Sequence, residues 1–132
     1  MPPIPKKTLV LGASANPQRY SYLAINRLRG LNHPVVGIGK RPGKVSDIEI
    51  GTEQQPIEDV DTITLYLSAA NQKQYYFYIL YLRPKRIIFN PGAENDELYD
   101  LAEKNGIQAI EACTLVLLST GQYWQYTDYF PV

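Results

Sequence analysis

Cysteine and histidine are almost missing from this 132-residue chain, which has one of each. Cys113 alone cannot close an internal disulfide, and Cys113 with His33 is too little for a structural zinc cluster. Net charge is missing as well, because 13 basic residues balance 13 acidic ones. No global field draws in nucleic acid or an anionic membrane, so any anion site has to be local. No run approaches the ~18 apolar residues of a membrane span. The start, Met-Pro-Pro-Ile-Pro-Lys-Lys, lacks the apolar stretch of a secretory signal, so the expected location is cytoplasmic. Glycine is scarce where a dinucleotide fold most needs it. The Gly-x-Gly-x-x-Gly pattern after a first strand is reduced to Gly12, followed by the small residues Ala13, Ser14 and Ala15.

What is present reads as one domain. A chain of this length buries about two thirds of its unfolded surface, and 45% apolar content with 20% charge is ordinary for a globular protein. Thr8 to Leu11 is a short apolar run ending in Gly12, as expected of a strand buried on both faces. Leu23, Ala24, Ile25, Leu28 and Leu31 then recur at helical spacing until Gly30, Asn32 and Pro34 close the segment. Val35 to Ile38 reads as a second strand, and Gly39 to Lys44 as a basic loop rich in breakers. Val45 to Asp59 is the least legible stretch, with a small extra strand near Ile48 to Gly51. Thr62 to Leu67 is a β-branched strand. A helix capped by Ser68 or Asn71 follows and stops by Arg83, because Pro84 disfavours helical geometry at the residue before it. Arg86 to Phe89 and Ile107 to Ile110 are further strands. They flank a helix capped by Asn95 and closed by Gly106. Thr114 to Ser119 reads as a last short helix.

Strands alternating with helices imply an α/β fold: a three-layer, Rossmann-like, doubly wound parallel sheet of about five strands in a single domain over 1–132, with a flexible start at 1–6 and an aromatic tail at 122–132. In such a sheet ligands sit beyond the carboxyl ends of the strands, beside the first one. An NAD site places an acidic residue after the second strand, whereas this chain has Lys40 and Arg41. A cation there suits a ribose that carries a phosphate, as in NADP or the 3′-phosphorylated adenosine of coenzyme A. A plain solvated turn accounts for the same residues. Arg19, near the first helix start, offers a second cation.

The run Leu9-Val10-Leu11-Gly12-Ala13-Ser14, the Pro17-x-Arg19-x-Ser21-Tyr22 spacing, Lys40 and the late Glu111-Ala112-Cys113 together resemble the small stand-alone CoA-binding proteins. These are similar to the N-terminal domain of the succinyl-CoA synthetase alpha subunit. The resemblance covers about residues 6 to 120. It implies that Gly12, Ala13, Ser14, Ala15 and Asn16 face the CoA phosphates. It implies that Lys40 neutralises a phosphate near the adenosine, that Ser68, Ala69 and Ala70 line the crevice, and that Phe89, Asn90 and Pro91 lie along the nucleotide or pantetheine. Asn90-Pro91-Gly92 departs from the more polar Thr-Glu-Gly run of the synthetase.

The synthetases use a phosphorylatable histidine in a second domain and an ATP-grasp partner. Neither is found here, so the expectation is a non-catalytic or accessory binder of CoA or acyl-CoA, without catalytic residues or metal. His33 falls before the second strand, away from the crevice, and reads as a surface or capping histidine. Cys113 follows the last strand and reads either as a small apolar filler or as a thiol able to form a mixed disulfide with CoA. Glu94, Asp96 and Glu97 sit where a helix start wants negative charge. Two other readings stay open: an NADP-binding oxidoreductase-like domain, and a protein-interaction module with a vestigial pocket. Eleven tyrosines concentrate in Tyr75 to Tyr81 and in the tail. They suggest burial on two sides of a helix and a homodimer through that helix or the tail. No nucleic-acid or membrane partner is expected.

Overall fold

Thr8–Leu11 forms β1, the centre of a seven-stranded sheet, and all four of its residues are buried. The computed structural model describes residues 4–124. Helix α1 (Tyr20–Gly30) leads to β2 (Val35–Ile38), and a hairpin of β3 (Gly43–Val45) and β4 (Ile48–Gly51) follows. Next come β5 (Thr62–Leu65), α2 (Ala69–Gln72), a 3₁₀ turn (Lys73–Tyr75) and α3 (Tyr76–Leu82). The chain continues through β6 (Arg86–Phe89), α4 (Asp96–Lys104), β7 (Gln108–Glu111) and α5 (Thr114–Ser119). The sheet order is β3-β4-β2-β1-β5-β6-β7. Every neighbouring pair is parallel except β3 with β4.

The architecture is the expected single-domain, Rossmann-like α/β sheet, with two strands more than the five anticipated. They are the hairpin: β4 is the small extra strand expected near Ile48 to Gly51, and β3 is its unexpected partner. Gly43-Lys44 has low strand propensity, and pairing with β4 overrides it. The hairpin is held to α1 by Arg29, whose Nε and Nη2 donate to the two Asp47 oxygens at 2.8 Å each. That pairing lowers the Asp47 carboxyl from its ordinary value and raises the Arg29 guanidinium.

Side chains alternate across the sheet and build two cores. Leu9, Leu11, Ile63, Leu65, Ile87 and Phe89 point to α3 and α4. Val10, Val35 and Ile88 point to Ile25 and Leu28 of α1 and Leu117 and Leu118 of α5. The second face also buries polar residues, among them Thr8, Thr62, Thr64 and Arg86. They are paired: the Arg86 Nε donates to Thr62 Oγ1 at 2.7 Å, and Thr8 Oγ1 shares a 2.6 Å bond with the Tyr123 hydroxyl.

Two sequence expectations are corrected, one on the helical segment after β5 and one on His33. The helix expected from Ser68 or Asn71 to Arg83 is broken into α2, the 3₁₀ turn and α3. At the break lies Gln72, fully buried, whose amide donates to the Leu67 and Ala93 carbonyls at 2.8 and 2.7 Å. In the Tyr75 to Tyr81 segment Tyr75, Tyr78 and Ile79 pack into the core, and Phe77 and Tyr81, 88% and 66% exposed, lie on the side for which a partner is expected. At the start of the chain Ile4 and Pro5 are exposed and Lys6 is buried. His33 is no surface group but is completely buried. The aromatic tail begins by folding back, with Tyr123 buried against the sheet; the rest of the tail, 125–132, through which a homodimer is also expected, lies outside the described residues. Among the described residues no helix is long and apolar enough to cross a membrane.

Candidate functional site at the carboxyl ends of the strands

After β1 the chain moves to β2 on one side, and after β4 it returns to β5 on the other. The carboxyl ends of β1, β2 and β5 therefore flank the reversal of strand order, where an open sheet leaves room for a ligand. Gly12 turns the chain out of β1 with φ +89°, a conformation in which other residues are strained. Its amide and that of Ala13 both donate to the Ile38 carbonyl, at 2.9 and 3.0 Å. The start of the loop is thereby fixed to the end of β2.

The fit between the two strand ends is close. A Cβ at Gly39 would lie 2.0 Å from the Ala13 carbonyl oxygen, and one at Gly43 would lie 2.7 Å from the Ala15 Cβ. At Gly37 it would meet the Ala13 Cβ at 3.2 Å. The glycines absent from the β1–α1 loop thus reappear on the segment packed against it. Sequence reading missed this role; the Gly37-x-Gly39 spacing on β2 was the available signal.

Farther on, the loop is shaped by its own side chains. Ser14 Oγ accepts from the Asn16 amide and Asn16 Oδ1 from the Gln18 amide, both at 3.0 Å. Such short-range bonds hold a turn without a regular element. Residues Ala15 to Tyr20 are exposed. Among the described residues the Ser14, Ala15, Tyr20 and Ser21 amides have no acceptor. Helix α1 starts after Arg19 with no side-chain cap and no acidic residue in its first turn. The positive end of its dipole is uncompensated. Arg19, Lys40 and Arg41 are all exposed, and no acidic residue occurs in Gly12 to Tyr22 or in Gly39 to Lys44. Fixed amides, a helix start and mobile cations together make an environment for phosphate oxygens.

The expected site residues divide into two groups. Gly12, Ser14, Ala15, Asn16, Arg19 and Lys40 share the joint rim of β1 and β2. Ala13 belongs to that loop but is buried in the core, 6% exposed, so it contributes shape. Ser68 and Ala69 stand across β1 at the end of β5, with Ser68 exposed at the start of α2. Ala70 is exposed beside them.

The end of β6 differs. Phe89 is 1% exposed and faces α4, its ring 5.8 Å from that of Tyr99, so it packs the core and does not line the crevice. Asn90 is buried and its amide is fully engaged. Nδ2 donates to Thr64 Oγ1 at 2.7 Å and the Leu65 carbonyl at 2.8 Å, and Oδ1 accepts from the Thr114 amide at 2.9 Å. Asn90 therefore ties β6 to β5 and to α5. Pro91 is exposed past it.

Cys113 is half-buried and stands at the residue before α5, with no side-chain bond to the helix start. Beside it, burial raises the Tyr66 phenol far above its ordinary value, against weaker opposite pulls from Thr114 and Thr64. Tyr66 stays a neutral hydroxyl at any working pH. Glu94 accepts from the Gly92 amide at 2.9 Å, and Asn95 Oδ1 caps α4 by accepting from the Leu98 amide at 3.2 Å. The acidic group at this helix start has structural work to do, as the sequence indicated.

Comparison with known proteins is consistent with this arrangement. A crystal structure of an uncharacterized protein is similar at 48% identity and a TM-score of 0.89, covering 91% of this chain and 99% of the other. A hypothetical protein from Pyrococcus horikoshii OT3 has 16% identity, a TM-score of 0.79 and coverage of 87% and 82%. A protein from Thermus thermophilus has 19%, 0.80, and 90% and 91%. The last two share the fold. No curated protein matches the chain. A family model described as a CoA binding domain matches residues 6–119, nearly the whole of the described structure, and the chain belongs to that family.

Proposed function

We propose that the protein binds coenzyme A or an acyl-CoA, with the β1–α1 loop on the pyrophosphate and Lys40 on the 3′-phosphate of the adenosine. The observation that carries this reading is the uncapped, acid-free start of α1 beside a lysine on the adjoining strand end. Family membership supports the same ligand class. Arg19 and Arg41 add positive charge to the rim. Ser68 and Ala69 border the path that the pantetheine arm takes across β1 and β5. The role is binding or accessory to a separate acyl-CoA enzyme, and His33, buried at the opposite edge of the sheet, has no access to chemistry at the crevice.

Thermal shift with CoA, dephospho-CoA and NADP tests the proposal. A ligand that binds only the folded state stabilises it by about 2.7 kcal/mol at a hundredfold excess over Kd. CoA is expected to raise the melting temperature and NADP to leave it unchanged. Lys40→Ala is expected to weaken CoA about tenfold, the loss of one charge-assisted phosphate contact, while affinity for dephospho-CoA is retained. Equal losses for both ligands contradict the placement of the 3′-phosphate. A shift with NADP and none with CoA favours the oxidoreductase-like reading instead.

A further inference from the structure

His33, the only histidine of the chain, lies at the amino-terminal edge of the sheet, where the first residues, the turn before β2 and the segment after α5 meet. Its side chain is completely buried. The Lys6 backbone N–H donates to His33 Nδ1 at 2.8 Å. Nδ1 therefore carries a lone pair, and the single proton of the neutral ring is on Nε2. Nε2 is buried and has no hydrogen-bond partner among the described residues. The imidazole instead packs on Tyr123 and Trp124, with both ring centroids 5.1 Å away. Tyr123 is locked in turn by its bond to Thr8 Oγ1 and by the Arg86 guanidinium 4.3 Å from its ring centroid.

A second proton has no place in this arrangement. On Nδ1 it would point at the Lys6 N–H, turning a hydrogen bond into a contact between two donors. The added charge would be buried, and the neighbouring charges are mostly of the same sign. Lys6 comes from the starting segment and Arg86 from β6. From α1, Arg29 donates to the His33 carbonyl at 2.8 Å while paired with Asp47. From the segment after α5, Tyr123 faces the ring as a phenol that burial keeps neutral. The facing carboxylate among the described residues is Asp61, just before β5, and it is already 4.0 Å from the Lys6 Nζ. Burial above all, then the Arg86 and Lys6 charges, lower His33 from its ordinary value of 6.5, and Asp61 pulls more weakly the other way.

We infer that His33 is an acid-operated latch: its protonation breaks the bond to the Lys6 amide and releases the Tyr123–Trp124 turn from the amino-terminal edge of the sheet, leaving the crevice edge folded. The direction follows from linkage. A base that is harder to protonate in the closed form than in the open one contributes its full stability above pH 6.5. That contribution is lost as the pH falls below 6.5 toward the depressed value. The rings released with it also close the second core from below, so opening exposes a large aromatic surface.

Trp124 is the only tryptophan, so its emission reports the turn. On lowering the pH from about 8 to about 5, the wild-type chain is expected to show a reversible change in Trp124 emission with a midpoint below 6.5. Far-UV circular dichroism should stay unchanged through that step. The imidazole carbon-bound proton shifts of the one histidine should titrate at the same midpoint. His33→Asn keeps an acceptor for the Lys6 amide and cannot be protonated, and it should lose the emission step. An emission that stays flat until the circular dichroism collapses, a step retained in His33→Asn, or an imidazole that titrates at or above 6.5 overturns the latch. The imidazole titration needs only the wild-type protein, so it decides even if the variant does not fold.

Discussion

Gly39→Ala is expected to lower stability by about 3 kcal/mol, the upper part of the range for overpacking, and the melting temperature by roughly 10 °C. The added Cβ would lie 2.0 Å from the Ala13 carbonyl oxygen, well inside van der Waals contact. That oxygen is backbone and cannot rotate aside as the end of a long side chain would. Ala13 is held by its amide bond to Ile38, and Gly39 by its own amide bond to the Gly51 carbonyl at 2.9 Å. Relief requires the β1–α1 loop or the end of β2 to move, and the proposed phosphate seat is made of both. CoA affinity should therefore fall as well, when measured at a temperature where the variant is folded. Gly30→Ala is the control, because a Cβ there meets nothing within 4 Å and alanine favours helix. Its melting temperature should equal or exceed that of wild type. Gly39→Ala melting within two or three degrees of wild type would contradict the contact between the two strand ends.

Asn90→Ala is expected to be about as damaging, for a different reason. It removes three hydrogen bonds and leaves the buried Thr114 amide without its acceptor. An unsatisfied buried polar group costs about 1–3 kcal/mol, and here acceptors on β5 and a donor on α5 lose their common partner. A total near 3 kcal/mol follows. Thr64 Oγ1 and Thr114 Oγ1 keep their mutual 2.7 Å bond, which limits the loss. Chemical denaturation of Asn90→Ala and of Thr64→Val separates the parts. Thr64→Val removes one hydroxyl and should cost less than Asn90→Ala. The reverse order would mean that Asn90 is not the hub. Residual CoA affinity in a folded Asn90→Ala chain would agree with a structural role for this residue, in contrast to the ligand contact implied by the family resemblance.

The elements were legible because each carries a local signal. Asn95 caps α4 through a bond to the Leu98 amide, and two acids in the first turn complement the helix dipole. Gly106, at φ +75°, closes the same segment, as its position in the sequence indicated. The missed strand β3 had no such signal, because its pattern of glycine and lysine reads as loop and only the partner β4 satisfies its backbone. The break between α2 and α3 was equally hidden. It is marked by the bonds of Gln72 to the Ala93 carbonyl and to Asn95, more than twenty residues along the chain, which no window of neighbouring residues contains.

The candidate site divides along the same line. Gly12, the small residues after it and the cations at Arg19 and Lys40 stand out in one dimension, since chain order alone places them after the first two strands. The family resemblance implies that Phe89 and Asn90 lie along the ligand, whereas their burial and their partners come from packing that chain order does not contain. All four positions of β6 are buried and the last three are apolar, so its sequence has too little alternation to tell which residues face which layer.

Composition, charge balance and the order of strands and helices were determined by the sequence alone, because they depend on propensities and periodicities within a few neighbouring residues. Three matters waited for the tertiary structure: the seating of Gly39 under Ala13, the engagement of Asn90 and the burial of His33 between Lys6 and Tyr123. Each is a contact between segments far apart in the chain, and such contacts are fixed by how the layers pack.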